Sequence, residues 1–174
     1  MNNRTIQAGP LTLDKIILGT GQFGTGYSVE ESFAQMDAYF ALGGRTLDTA
    51  SIYGDWEDEG TPISEETIGR WMRERANREE ITLITKGCHY KLSTPEVSRV
   101  SGADIHTDVA RSLEALGTDY IDLYLLHRDN PSIPVEEIVD ALAEHMAKGE
   151  LKAVGASNWT VDRILEAVMH KNCC

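Results

Sequence analysis

Apolar runs at positions 16–18, 46–48, 81–86, 121–126 and 151–156 begin 30, 35, 40 and 30 residues apart. Between them the apolar spacing changes to that of a helix. Val29, Phe33, Met36 and Phe40 step by four, three and four, which places them on one helical face. Ile105, Val109, Leu113 and Leu116 repeat the pattern, and so do Val135, Ile138, Val139, Leu142 and Met146. A last helix carries Val161, Ile164, Leu165 and Val168. Strand and helix alternating at this interval predict parallel strands covered by helices, because a parallel pair needs a crossover long enough to hold a helix.

The helix boundaries carry signals of their own. Ser28 followed by Glu31 is a capping-box pattern. Ser64 is positioned to cap the second helix, with Ile63 and Ile68 as a hydrophobic staple across it. Gly43, Gly117 and Gly149 stand where helices should stop, and Pro134 suits a first helical turn.

Two folds share this alternation, the open doubly wound sheet and the closed (β/α)8 barrel. Gly19, Gly21 and Gly24 spell the glycine pattern of a dinucleotide loop. However, the helix that such a loop should open starts only near Ser28. Ahead of the first strand, residues 5–6 and 11–13 flank Ala8-Gly9-Pro10, a small hairpin suited to closing the bottom of a barrel. The expectation is an α/β chain of the TIM (β/α)8 type, incomplete, with about five βα units in one partial barrel domain over residues 1–174. A whole barrel takes roughly 250 residues. Three accounts fit that shortfall: a truncated product, completion by self-association through the open barrel edges, or a non-catalytic scaffold that keeps the fold.

Charge narrows the partners. With 28 acidic against 16 basic side chains the formal net charge is −12, which disfavours nucleic acid and anionic membrane surfaces, since both recruit clustered Lys and Arg. No stretch approaches the roughly 18 apolar residues of a membrane span, and the opening MNNRTIQAGP lacks the apolar core of a secretory signal. Cys88, Cys173 and Cys174 make no disulfide framework, so a reducing cytoplasm is the expected location.

Polar residues stand at the C-terminal ends of the strands: Asp48, Lys86, His127, then Ser157 and Asn158. In a parallel βα fold those ends form one rim, where barrel enzymes place their sites. Tyr53 follows Asp48 by five residues in a rim loop. Taken singly, each has an ordinary reading: Asp48 a turn cap, Lys86 a solvated strand end, Tyr53 a loop aromatic, His127 a satisfied histidine. Convergence on one rim changes that. A tyrosine hydroxyl ordinarily titrates near 10, and a neighbouring ammonium stabilises the phenolate. A histidine can orient a carbonyl oxygen. The set suits protonating an oxygen while something else attacks the carbon, and since no side chain supplies the electron pair, a hydride-donating cofactor is implied.

Here the sequence resembles the aldo-keto reductases. Gly44-Arg45-Thr46-Leu47-Asp48-Thr49-Ala50 is similar to that family's first signature, with Glu65 and Ile68-Gly69 as its tail, and residues 152–159 (KAVGASNW) are similar to its second. The resemblance implies Asp48, Tyr53, Lys86 and His127 as a catalytic tetrad. It makes Tyr53 the general acid, Lys86 and Asp48 its tuning pair, and His127 the carbonyl-orienting residue. It further implies Ser157 and Asn158 on the nicotinamide carboxamide, with Gly19, Thr20 and Asp48 near the cofactor. The cofactor so implied is NADPH, with NADH possible, the partner a small carbonyl substrate, and no metal. The units expected to bind the adenosine end would follow residue 174. His89, His106 and His145 keep structural readings, Cys88 is not expected to act as a nucleophile, and 55–59 (DWEDE) is expected to be a solvated acidic loop that biases against anionic substrates.

Overall fold

The computed structural model describes residues 4–170, so Cys173 and Cys174 lie outside the described residues. β1 (Thr5–Ala8) and β2 (Leu11–Asp14) form an antiparallel hairpin. β3 (Leu18–Gly19), β4 (Thr46–Asp48), β5 (Thr82–Gly87), β6 (Ile121–Leu126) and β7 (Leu151–Ala156) form one parallel sheet in that order. α1 (Val29–Ala41), α2 (Ile63–Arg75), α3 (Gly102–Leu116), α4 (Val135–Ala147) and α5 (Val161–Met169) follow β3 to β7 in turn. Within the parallel sheet every strand lies beside its neighbour in sequence. A doubly wound sheet would have to reverse direction, so the dinucleotide-loop reading of Gly19, Gly21 and Gly24 falls and the barrel arc stands.

The main core lies between sheet and helices, with Leu47, Leu83, Ile121 and Tyr124 from the strands against Ile68, Trp71 and Ile105. α2 and α3 approach closely at Gly69, where a Cβ would stand 2.6 Å from the carbonyl oxygens of Ala115 and Leu116. A second core joins Leu11 and Leu13 of the hairpin to Ile84, Leu123, Leu125 and Ala153. The hairpin therefore covers the inner face of the arc, as expected. Asp14 pins it there, accepting from the amides of Arg45 (2.6 Å) and Thr46 (2.8 Å) at the start of β4. Burial works to raise the Asp14 pKa, but these amides and the hydroxyls of Thr46 and Tyr39 outweigh it and hold the carboxyl below its ordinary value.

Most boundary signals hold. Ser28 and Glu31 form the capping box, and Gly117 caps α3 in the left-handed conformation. Several expectations need correction. Ile16 and Ile17 are exposed and outside the strand, because β3 pairs with β4 only at Leu18 and Gly19. The N-cap of α2 is Pro62, with no side-chain capping bond, and the Ser64 hydroxyl is spent elsewhere. On α4 it is His145 that is buried, with Met146 exposed. The apolar side chains Val161, Ile164, Leu165 and Val168 of α5 are exposed, and the helix is anchored through buried Arg163, which bonds to Asp129 and to the carbonyl of Ile133. Among the described residues no helix is long and apolar enough to cross a membrane.

Candidate active site

The parallel register brings the C-terminal ends of β4 and β5 together, and there the Lys86 ammonium is held on several sides. It lies 2.8 and 2.9 Å from the two carboxylate oxygens of Asp48 and donates to the carbonyl of Thr49 at 2.7 Å. It also reaches Tyr53 Oη at 3.4 Å. Lys86 is only 8% exposed, so it is not the solvated strand end of its isolated reading. Tyr53 is fixed by its turn, its amide donating to Ala50 O and its carbonyl accepting from Ser64 N.

His127 follows β6 and meets Tyr53 edge to face, with ring centroids 6.3 Å apart. Its amide donates to Gly87 O, which ties the end of β6 to that of β5. Burial first, and then the neighbouring His89, Lys86 and Arg128, push the imidazole pKa down to about 3. The ring is therefore neutral near pH 7. Its Nδ1 is buried without a partner, and an unpaired acceptor is the less costly orphan. That favours the proton on Nε2. Because the folded pKa lies below the ordinary value, the neutral ring contributes stability above about pH 6.5 that is lost as pH falls towards 3. The imidazole carbon-bound protons of His127 should therefore show no titration between about pH 5 and 9 by NMR; a midpoint near the ordinary histidine value would refute the neutral-donor reading.

On β7's side, Asn158 takes a left-handed φ of 62° and donates from Nδ2 to His127 O at 2.9 Å and Ser157 Oγ at 3.1 Å. Those bonds commit the amide hydrogens and leave two rim functions, the Asn158 carbonyl and the Ser157 hydroxyl hydrogen. One acceptor and one donor side by side match a carboxamide. Gly19 is exposed at the end of β3, and a Cβ there would meet nothing within 4 Å, which leaves room for a ligand to approach the backbone. Thr20 is fully buried, its amide and hydroxyl both donating to Asp48 O at 3.0 Å. Its side chain thus supports Asp48.

Several residues at the site had not been read as site residues. Ser64 Oγ donates to Thr20 O at 2.8 Å and lies 3.0 Å from Thr49 Oγ1, bracing the backbone around Asp48. His89 packs edge to face on His127 at 4.8 Å; its place three residues past Lys86 on the same rim was the available signal. Asp55 is buried and accepts from Gly60 N at 2.7 Å, so it staples the loop from inside, while 56–59 are exposed as expected. Cys88 is buried, and burial together with Asp108 pushes its thiol pKa far up, consistent with no nucleophilic role. His106 and His145 bond to each other at 2.9 Å between α3 and α4.

A family model described as "Aldo/keto reductase family" matches residues 15–173. "Aldo-keto reductase str7" of Strobilurus tenacellus is 35% identical over 148 residues, which are 85% of this chain and 40% of that protein. "Norsolorinic acid reductase stcV" of Emericella nidulans is 33% identical over 172 residues, covering 90% of this chain and 43% of that one. Among solved structures, the thermostable aldo-keto reductase Tm1743 with the inhibitor epalrestat superimposes with a TM-score of 0.78 at 26% identity, over 94% of this chain and 57% of that chain. The chain spans about two fifths of the length of these curated relatives.

Proposed function

The chain belongs to the aldo/keto reductase family, and from that membership we propose that it carries the catalytic half of an NAD(P)H-dependent reductase that converts aldehydes or ketones to alcohols, with Tyr53 as general acid. The observation that carries this reading is the line of contacts Asp48–Lys86–Tyr53, with neutral His127 beside it on one rim. The nicotinamide cofactor supplies a hydride to the carbonyl carbon when bound, and NADPH is the form proposed first. Gly19, Ser157 and Asn158 would hold it, the last two through the free acceptor and donor on the carboxamide, with Thr20 keeping Asp48 in place beneath.

The residues of the chain handle the oxygen. His127 Nε2–H orients the carbonyl, and Tyr53 gives its hydroxyl proton to the oxygen as the carbon is reduced. The Lys86 ammonium stabilises the negative charge left on the phenol oxygen. Asp48 and the Thr49 carbonyl fix that ammonium, so the charge is met by a group already oriented. The partners proposed are a small carbonyl compound and, through the open edges of β3 and β7, a second copy of the chain; nucleic acid and membrane are not among them.

Fluorescence titration of the purified chain with NADPH, with its mass in solution recorded on the same sample, tests this reading. Saturable binding and oxidation of NADPH on addition of an aldehyde are expected. A folded chain that neither binds nor oxidises NADPH would overturn it in favour of a scaffold that keeps the fold.

A further inference from the structure

The first turn of α2 bears on the Asp48–Lys86 pair through the strands. Ser64 braces Thr20 and Thr49. Glu65, the next residue, has no exposed surface, and its Oε1 accepts from Thr85 Oγ1 at 2.6 Å. Thr85 and Lys86 are consecutive strand residues, so they point to opposite faces of β5. Whatever holds Thr85 therefore sets the backbone from which Lys86 projects.

Glu65 makes no ion pair among the described residues. The charged and titratable groups that act on it are Asp108 and Arg111 from α3 and Tyr124 from β6. The nearby cation Arg99 is spent on Asp108 at 2.5 Å, and Arg111 donates to Gly60 O at 2.7 Å. Among the described residues, three buried oxygens in this part of the core have no hydrogen-bond partner: Glu65 Oε2, Ser112 Oγ and Tyr124 Oη. An ionised carboxylate buried here would lack a partnering cation, whereas a carboxylic acid carries no charge that needs one.

We propose that Glu65 is a neutral carboxylic acid in the folded protein and a positioning residue for Lys86, and that its ionisation changes the hold of α2 on β5 through Thr85 and makes the Asp48–Lys86 pair pH-sensitive. Burial is the dominant cause, lifting the Glu65 pKa to about 7 against the opposing effects of the Thr85 hydrogen bond and of Arg111. The folded value is thus raised above the unfolded one. The stabilisation from the neutral acid is complete below the ordinary glutamate range and is lost as pH rises through about 7. Only in calling the pair catalytic does the inference rest on the proposed function.

Infrared difference spectra and the Lys86 side-chain NMR resonance test it without turnover. The wild-type chain should show a protonated-carboxyl C=O band that disappears with a midpoint near pH 7, and the Lys86 resonance should shift with the same midpoint. Glu65→Gln should lack the band and hold the resonance still. Thr85→Val keeps the acid but cuts its bond to β5, so the band should remain while Lys86 stops responding. The unfolding temperature of wild type should fall relative to Glu65→Gln between about pH 5 and 7 and run parallel above that. A band already absent near pH 6, or a Lys86 shift that persists in Thr85→Val, overturns the proposal. A reductase assay that fails while both titrations appear counts against the proposed function and leaves this inference standing.

Discussion

Tyr53→Phe should lower the turnover of aldehyde reduction by about 100- to 10,000-fold, the range that a positioned general acid supplies. By transition-state arithmetic this is about 3–5 kcal/mol. The substitution removes one oxygen and little else. The ring keeps its edge contact with His127, and the backbone bonds to Ala50 and Ser64 do not involve the hydroxyl. Lys86 loses its longest contact, at 3.4 Å, and retains Asp48 and Thr49 at 2.7–2.9 Å. Cofactor affinity should therefore be unchanged, because the proposed carboxamide contacts lie on Ser157 and Asn158. Steady-state rates beside an NADPH titration separate the two effects. Reduced NADPH affinity with unchanged turnover would remove Tyr53 from the proton-transfer step.

The convergence of Asp48, Lys86 and His127 could be read from sequence because of how the fold is built. In consecutive parallel βα units the C-terminal ends of the strands lie on one rim, so finding these three residues at strand ends was equivalent to finding them together. Residues that act from behind the sheet have no such marker. Ser64 sits where a helix cap belongs, and nothing in its spacing shows that Pro62 takes the cap and frees its hydroxyl for Thr20. Glu65 stands in the sequence only as part of the first signature's tail, and nothing in its spacing shows that it is buried and bonded to Thr85. Periodicity also reports that a face is apolar without reporting what meets it. α1, α3 and α5 carry similar stripes, yet α1 and α3 are packed into the core while α5 leaves Ile164, Leu165 and Val168 exposed. The edge strand β3 shows a related limit: Ile16 and Ile17 extend its apolar run, but β4 has no residues left to pair with them.

The apolar run of β6 conceals the residue whose loss should cost the fold most. Asp122, second in that strand, is only 6% exposed. One carboxylate oxygen accepts from Arg78 at 2.9 Å and from Leu83 N of β5 at 3.0 Å; the other accepts from Lys152 of β7 at 2.9 Å. Three neighbouring strands are thus clasped near their N-terminal ends, opposite the rim that carries Asp48 and Lys86. Asp122→Ala leaves the Leu83 amide without an acceptor inside the core and takes the carboxylate from the Arg78 guanidinium, whose side chain is 16% exposed and which keeps only its neutral acceptors, Thr118 Oγ1 and the carbonyls of Ile81 and Tyr120. Removing one member of a buried pair costs about 3–5 kcal/mol. Lys152 is half exposed and adds little to that. Against a typical total of about 5–15 kcal/mol, such a loss should lower the urea midpoint markedly. Asp122→Asn preserves an acceptor for the amide and loses the charge and the acceptor that faces Lys152, so it should be the milder change. Equal midpoints for Asp122→Ala and wild type would show that the clasp is redundant with the strand ladder, and that β5, β6 and β7 are held by their backbone bonds and core side chains alone.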